Sequence, residues 1–222
     1  WCRLFGGHRR VLLLAMPPYP KHDFVIFLCR LLDNTQLADP DQRSLYAIDT
    51  RRCLWVSPRG KAHGIIDEIQ EIIVSTADLQ LQDWKRVYRF AYLASMGYNK
   101  YVMRLLFHGI IEICKLSLQH FIEAMLAEME AAAPGSVFAE LWETLQRYLH
   151  SILAEEAYQL PYFSEQDRPW EIDEALAISV LRRPTQFYQE LLQFSKEFLP
   201  TTAHQQIEEL IRYQSNLIPR RH

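Results

Sequence analysis

The stretch that decides the fold is DWKRVYRFAYLASMGYNKYVMRLLFH, residues 83–108. Its apolar side chains recur at steps of three and four residues, which is the period of an α-helix face. Phe90, Met103 and Phe107 extend the apolar surface beyond one face, and such a helix is covered by neighbours on most sides. The pattern therefore predicts a central helix. A bend or break is expected at Gly97, because glycine costs about 1 kcal/mol relative to alanine inside a helix.

The residues after 108 predict a run of further helices and no strand. Helix-start signals, such as a capping serine or a proline suited to the first helical position, recur along this part of the chain. One of them, Thr202, also fits a capping box with the glutamine three residues later. The predicted helices begin at Ser117, Ser136, Trp170, Pro184 and Thr202.

The first 77 residues have a mixed pattern. Short apolar runs bounded by proline or turn residues predict extended segments. Asp39 and Pro40 predict a short helix, because aspartate caps helices and proline suits the first helical position. Residues 63–71 predict another short helix. The extended segments are predicted at residues 11–15, 24–28, 48–56 and 72–75.

These patterns predict a mostly α protein with two parts. Residues 1–77 form a small, partial α/β segment, and residues 78–222 form an all-helical C-terminal domain. Hydrophobic residues make up 49% of the 222 residues, which is enough for a large core. Glycine is scarce, with 7 residues, so a glycine-rich phosphate loop is not expected.

The composition excludes several classes of function. The formal net charge is −3, so no basic surface for nucleic acid is predicted. No run of eighteen apolar residues occurs, so no membrane span is predicted. The four cysteines lie far apart and fit neither a disulfide framework nor a zinc site. We expect free thiols and a cytoplasmic protein.

Few residues suggest a site. Ser75 and Thr76 end a predicted strand, where α/β folds place ligand contacts, and Asn34 lies at a similar strand end. A helix cap or a turn is the alternative role for these residues. His120 and Glu123 are the nearest approach to a metal motif, but a helical di-metal site needs the order Glu-x-x-His, twice. We therefore predict no metal site.

Two stretches resemble one family: LLDNTQLADPDQRSLYAIDT, residues 31–50, and IVSTADLQLQDWKRVYRFAYLASMGYNKYVMRLLFH, residues 73–108. Both are similar to the region downstream of the catalytic core in radical S-adenosylmethionine (SAM) proteins of the cobalamin-binding type. Asp33 stands where that family usually has proline. The matching positions are Leu31, Leu32, Asn34, Pro40, Tyr46, Ile48, Thr50, Ser75, Thr76, Asp83 and Trp84, and further along Trp170, Glu174, Phe187, Tyr188, Glu190, Tyr213 and Gln214.

The resemblance implies a C-terminal part of such an enzyme. Residues 1–77 would then hold a remnant of a partial TIM-like barrel, and the helical domain would cover the barrel and shape the substrate pocket. The family's Cys-x3-Cys-x2-Cys loop is absent, so we expect no catalytic residue and no cofactor in this chain. The missing N-terminal radical SAM core is the expected partner. It would supply the [4Fe–4S] cluster, S-adenosylmethionine and, in cobalamin-dependent members, cobalamin.

Two further points bear on the organisation of the chain. It begins with Trp1 rather than methionine, and we expect a fragment of a longer protein. The apolar run of residues 11–20 also resembles the first strand of the family's cobalamin-binding domain. The alternative function is a stand-alone helical module that binds a protein partner through the apolar face of residues 11–32.

Overall fold

The computed structural model describes residues 26–55, 68–158, 160–161 and 169–218. The strand predicted at residues 11–15 lies outside these ranges. The strands are β1 (Arg30–Leu31), β2 (Asp49–Trp55), β3 (Glu68–Ser75), β4 (Leu160–Pro161) and β5 (Pro169–Trp170). The helices are α1 (Pro40–Leu45), α2 (Leu81–Asn99), α3 (Arg104–Glu112), α4 (Leu118–Ala131), α5 (Val137–Leu153), α6 (Ile172–Arg182), α7 (Pro184–Phe198) and α8 (His204–Leu217).

The protein is mostly helical, as predicted. The first three strands form a small sheet in the order β1-β3-β2, in which both neighbouring pairs are antiparallel. The strands of a TIM barrel are parallel, so the described sheet does not show the expected barrel remnant. The strand predicted at residues 24–28 is also wrong in its described part, because residues 26–28 are not in a strand and β1 begins at Arg30.

Residues 68–71 belong to β3, whereas the sequence predicted a helix there. The cause is cross-strand pairing, which a local pattern does not show. Glu71 lies opposite Arg52 of β2 and accepts hydrogen bonds from Arg43 (2.6 Å) and Thr50 (2.5 Å). These contacts favour an extended backbone at Glu71, and the buried apolar residues that follow continue the strand.

The break in the central helix is confirmed. Helix α2 ends at Asn99 and α3 begins at Arg104. Gly97 lies in the last turn before the break, and its carbonyl accepts a hydrogen bond of 2.8 Å from the amide of Met103. A Cβ on Gly97 would lie 2.6 Å from Cζ of Phe107 and 2.8 Å from Cε of Met103. Glycine is therefore needed here because α3 folds back closely onto α2.

Local capping signals are confirmed at three helices. Asp39 accepts a hydrogen bond from the second residue after it, and Ser117 and Ser136 each accept one from the third. The capping box at Thr202 is wrong, because this residue lies in a short 3-10 turn and α8 follows Ala203 without a side-chain cap. The absence of strands after residue 108 is also wrong, because β4 pairs with β5.

The sheet and the helices share one hydrophobic core. Cys53, Ile72 and Val74 of the sheet are fully buried in the same cluster as residues of all the helices from α2 onward. The Cys53 thiol donates to the carbonyl of Ile152 in α5 at 3.3 Å. The division at residue 77 stays a prediction. Among the described helices, none is both long and apolar enough to cross a membrane.

Candidate functional site

A cavity of about 420 Å³ lies between residues 26–30 and helices α2, α5 and α6. This volume is in the range of small-molecule sites. Its wall combines aromatic rings, aliphatic side chains and charged groups. The residues that carry its chemistry are Arg30, Tyr92, Lys100, Tyr148, Tyr158 and Asp173.

Tyrosine rings form one continuous row beside the cavity. Tyr88 and Tyr92 lie one helical turn apart on α2, with ring centroids 5.8 Å apart. Tyr148 of α5 meets Tyr92 at 5.3 Å and Tyr158 at 6.5 Å, in both cases edge to face. Such contacts fix the orientation of the rings. The row, which we call the tyrosine row, therefore gives the cavity a rigid aromatic wall.

Tyr88, at one end of the tyrosine row, forms hydrogen bonds with the segment that precedes β1. The Tyr88 hydroxyl donates to the carbonyl of Phe27 and accepts from the amide of Cys29, both at 3.2 Å. Burial raises the pKa of Tyr88, with its bond from Cys29 acting in the opposite direction, so the phenol stays neutral. This pairing satisfies two backbone groups and holds residues 27–29 against helix α2.

Tyr92 and Tyr148, in the middle of the row, contact each other through their hydroxyls. The oxygens of Tyr92 and Tyr148 lie 3.2 Å apart, and either hydroxyl can donate to the other. Burial raises the pKa of both phenols, because a buried phenolate loses its hydration. Both side chains are therefore neutral hydrogen-bonding groups at the cavity wall.

A polar network forms another part of the wall. Ser95 donates to Oδ2 of Asp173 at 2.8 Å and accepts from Nδ2 of Asn99 at 3.0 Å. Nζ of Lys100 lies 3.5 Å from Asp173 and 3.8 Å from Glu174. Both carboxylates stand in the first turn of α6, where the helix dipole favours negative charge. The network ties α6 to the end of α2 and balances Lys100 within the protein.

Arg30 stands at the exposed side of the cavity. Its Nη2 donates to the Tyr158 hydroxyl at 3.5 Å, and that hydroxyl donates to Oε1 of Gln70 at 2.5 Å. Burial raises the pKa of Tyr158 to about 12, although the charge of Arg30 acts in the opposite direction. Among the described side chains, no carboxylate forms an ion pair with Arg30.

The site residues predicted from the sequence lie away from this cavity. Asn34 is exposed in the turn after β1, where it lines a separate open groove. Ser75 ends β3 opposite Asp49, and Thr76 accepts a hydrogen bond of 3.2 Å from the amide of Leu79. The alternative turn role of Thr76 is thus visible. A ligand role for Asn34, Ser75 and Thr76 stays a prediction.

Sequence reasoning missed the residues that line the cavity. One signal was available: residues 88, 92, 95 and 99 are polar or phenolic and recur on one face of an otherwise apolar helix. The other residues of the cavity lie far apart in the sequence, so no local pattern connects them. Ser95 and its partner Asp173 are 78 residues apart, and Arg30 and Tyr158 are 128 residues apart.

The described residues do not fit an iron–sulfur cluster. Burial raises the pKa of the Cys53 thiol to about 11, aided by the charge of Glu155, so this thiol is a poor thiolate ligand. Within the ranges that the structure describes, no group of three histidine, cysteine, aspartate or glutamate side chains could hold a metal ion. Glu123 of the reversed His-x-x-Glu motif instead pairs with Arg86 at 3.3 Å.

No protein-family model matches the chain, and no curated protein sequence matches it.

Proposed function

We propose that this chain is the C-terminal part of a radical SAM protein of the cobalamin-binding type, and that the cavity forms part of its substrate pocket. The position of helix α2 carries the proposal. The family-like stretch of residues 73–108 contains the whole of α2. Tyr92, Ser95 and Asn99 of this helix line the cavity. The resemblance and the cavity therefore share helix α2.

Several residues of the resemblance support it through the contacts that they make. Trp84 is 1% exposed at the start of α2. The hydroxyl of Tyr188 donates to the carbonyl of Val102 at 2.8 Å, which fixes the break between α2 and α3. The Gln214 side chain accepts from the amide of Leu105 and donates to the carbonyl of Tyr101 at the same break. These positions would brace the helix that carries Tyr88 and Tyr92.

Glu190 supports the proposal in the same way. Its two carboxylate oxygens accept hydrogen bonds from the amides of Val137 and Phe138, at 3.0 and 2.9 Å. These amides are at the start of α5, where a helix leaves its donors unpaired and favours negative charge. Glu190 would thereby position α5, which carries Tyr148 into the cavity.

In this proposal the chain does not catalyse a reaction alone. The missing core would supply the parallel barrel, the cluster, S-adenosylmethionine and cobalamin, and the small antiparallel sheet would lie at its edge. Large apolar side chains on the described surface near β1 and β3 would contact that core. Phe27 is 74% exposed, Leu32 56% and Ile69 58%. Exposed apolar groups placed together commonly mark an interaction surface.

The test begins with the gene. The reading frame upstream of the Trp1 codon should encode Cys-x3-Cys-x2-Cys, and the complete protein should bind a [4Fe–4S] cluster and cleave S-adenosylmethionine reductively. The 222-residue chain, reconstituted in the same way, is the control and should hold no cluster. An upstream frame without the three cysteines, or a stoichiometric cluster on the 222-residue chain, would overturn the proposal.

The second candidate is a stand-alone helical module that binds a protein partner. The exposure of Phe27 and Leu32 favours it as well, since both belong to the apolar face of residues 11–32. The two candidates differ in how the isolated chain behaves. A fragment with an uncovered apolar edge should self-associate in light scattering. A stand-alone module should be a monodisperse monomer that melts cooperatively.

A further inference from the structure

We infer that the cavity binds a small monoanionic molecule that carries a neutral acceptor oxygen. Arg30 would hold the anionic group, and the Tyr92–Tyr148 pair would donate to the oxygen. The inference rests on the proposed function, because it names the class of substrate that the pocket takes. Its test is independent, because it measures binding to the 222-residue chain and requires neither cluster nor core.

The Tyr92–Tyr148 pair has more hydroxyl hydrogens than its own contact uses. Two phenols carry two hydroxyl hydrogens, but the contact between Tyr92 and Tyr148 uses one. Whichever hydroxyl donates, the hydrogen of the other has no acceptor among the described residues. Both rings line the cavity, and Tyr148 is 2% exposed. A donor at a cavity wall can bind an acceptor oxygen of a ligand in place of water, so the pair offers one hydrogen bond to a molecule in the cavity.

The surroundings of this pair favour an uncharged acceptor oxygen. Tyr92 and Tyr148 are neutral, and the nearby wall contains Ile26, Leu28 and Ile172. A carboxylate placed there would lose its hydration with no cation beside it, which is strongly unfavourable. A carbonyl, ether or hydroxyl oxygen loses much less. The inner acceptor is therefore neutral, and the adjoining part of the molecule is apolar.

Arg30 is the residue of the cavity that is suited to bind an anionic group. Of the charged side chains at the cavity, Lys100 and Asp173 pair with each other. Glu171 has an interaction of its own. Arg30 donates to the neutral Tyr158, and the described residues offer it no carboxylate. A guanidinium is suited to bind a carboxylate through two parallel hydrogen bonds. Because Arg30 is exposed, the anionic group can stay partly hydrated.

The experiment uses methyl-ketone carboxylates, from levulinate to its longer homologues of up to about nine carbons, since such lengths suit a cavity of this size. Alkanoates of equal carbon number are the matched probes. Calorimetry on the 222-residue chain should show that one oxo acid binds about 2- to 13-fold more tightly than its alkanoate, as one additional hydrogen bond predicts. Equal affinities, or no binding by any oxo acid, would overturn the inference.

Variants assign the two ends. Tyr92→Phe or Tyr148→Phe alone leaves one hydroxyl hydrogen free, so at least one single variant should keep the preference for the oxo acid. The double variant should lose it. Tyr213→Phe is the matched control, because it removes an exposed hydroxyl outside the cavity, and it should keep the preference. A folded double variant that still prefers the oxo acid would refute the role of the pair.

Arg30→Gln tests the anionic end. The change should weaken oxo-acid binding about tenfold or more and remove its dependence on salt, because a charged contact is screened by ions. The neutral methyl ketone of equal length should bind the wild-type chain and Arg30→Gln equally. Unchanged oxo-acid affinity in Arg30→Gln, with circular dichroism showing the native helix content, would overturn the assignment of Arg30.

Discussion

Replacing Gly97 with alanine tests the close packing of α2 against α3. The new Cβ would lie 2.6 Å from Cζ of Phe107 and 2.8 Å from Cε of Met103, and both side chains are at most 1% exposed. Overpacking of this kind costs about 1–3 kcal/mol. The better helix propensity of alanine offsets about 1 kcal/mol of that. We therefore expect Gly97→Ala to lower the free energy of unfolding by up to about 2 kcal/mol.

Urea unfolding followed by far-ultraviolet circular dichroism measures this change. Ala127→Gly, at an exposed position of α4, is the matched control and isolates the propensity term, about 1 kcal/mol. In the Phe107→Leu background, Gly97→Ala should cost less than it does in the wild type, because the shorter side chain lacks the clashing ring atom. A Gly97→Ala protein about 1 kcal/mol more stable than the wild type would refute the reasoning.

The remaining predictions concern the core and the sheet. Trp84→Ala should cost about 3–5 kcal/mol, whereas Trp84→Phe should cost clearly less, because the buried indole N–H has no acceptor among the described atoms. Iodoacetamide at neutral pH should label Cys114 and spare Cys53, which is fully buried and has a pKa raised to about 11 by burial. Burial alone would raise the pKa of Glu71, but hydrogen bonds from Thr50 and Arg43 lower it overall. Glu71 therefore stabilises the folded state at pH values above its unfolded pKa, and this stability is lost as the pH falls through its folded pKa. The difference in unfolding free energy between the wild type and Arg43→Met should accordingly become smaller in acid.

Each of these predictions has a result that contradicts it. Equal unfolding free energies for Trp84→Ala and Trp84→Phe would mean that the ring makes no packing contribution. Peptide mass spectrometry that finds Cys53 labelled as fast as Cys114 would place Cys53 outside the core. A stability difference for Arg43→Met that stays constant between neutral pH and about pH 3 would show that the Arg43–Glu71 contact does not lower the pKa of Glu71.

Features with a local cause could be predicted from the sequence. The caps at Asp39, Ser117 and Ser136 depend on a side chain and an amide two or three residues away, so the sequence carries the whole signal. The break after Gly97 was predicted from helix propensity, but its cause is the contact with Phe107. The position was therefore predictable, and the physical reason required the packed structure.

Features with a distant cause could not be predicted. The strand at residues 68–71 depends on the partner β2, and the helical pattern of those residues gave the wrong answer. The cavity depends on contacts between α2, α5 and α6, which are separated by the intervening helices. Tyr92 and Tyr148, for example, are 56 residues apart. Hydrophobic periodicity predicts that each helix has a buried face, but it does not show which faces meet.

The polar stripe on α2 contributes to a hydroxyl pair in which one hydrogen has no acceptor among the described residues. Tyr88, Tyr92, Ser95 and Asn99 follow one face of the helix, and burying such groups is costly unless each finds a partner. Tyr88 bonds to the backbone of residues 27 and 29, and Ser95 joins Asn99 and Asp173. At Tyr92 the partner is a second hydroxyl, which brings another donor hydrogen with it. Tyr92 and Tyr148 line the same cavity as Arg30, which has no carboxylate partner among the described residues, so a ligand that contacts both would use the remaining hydrogen-bond donors of this wall.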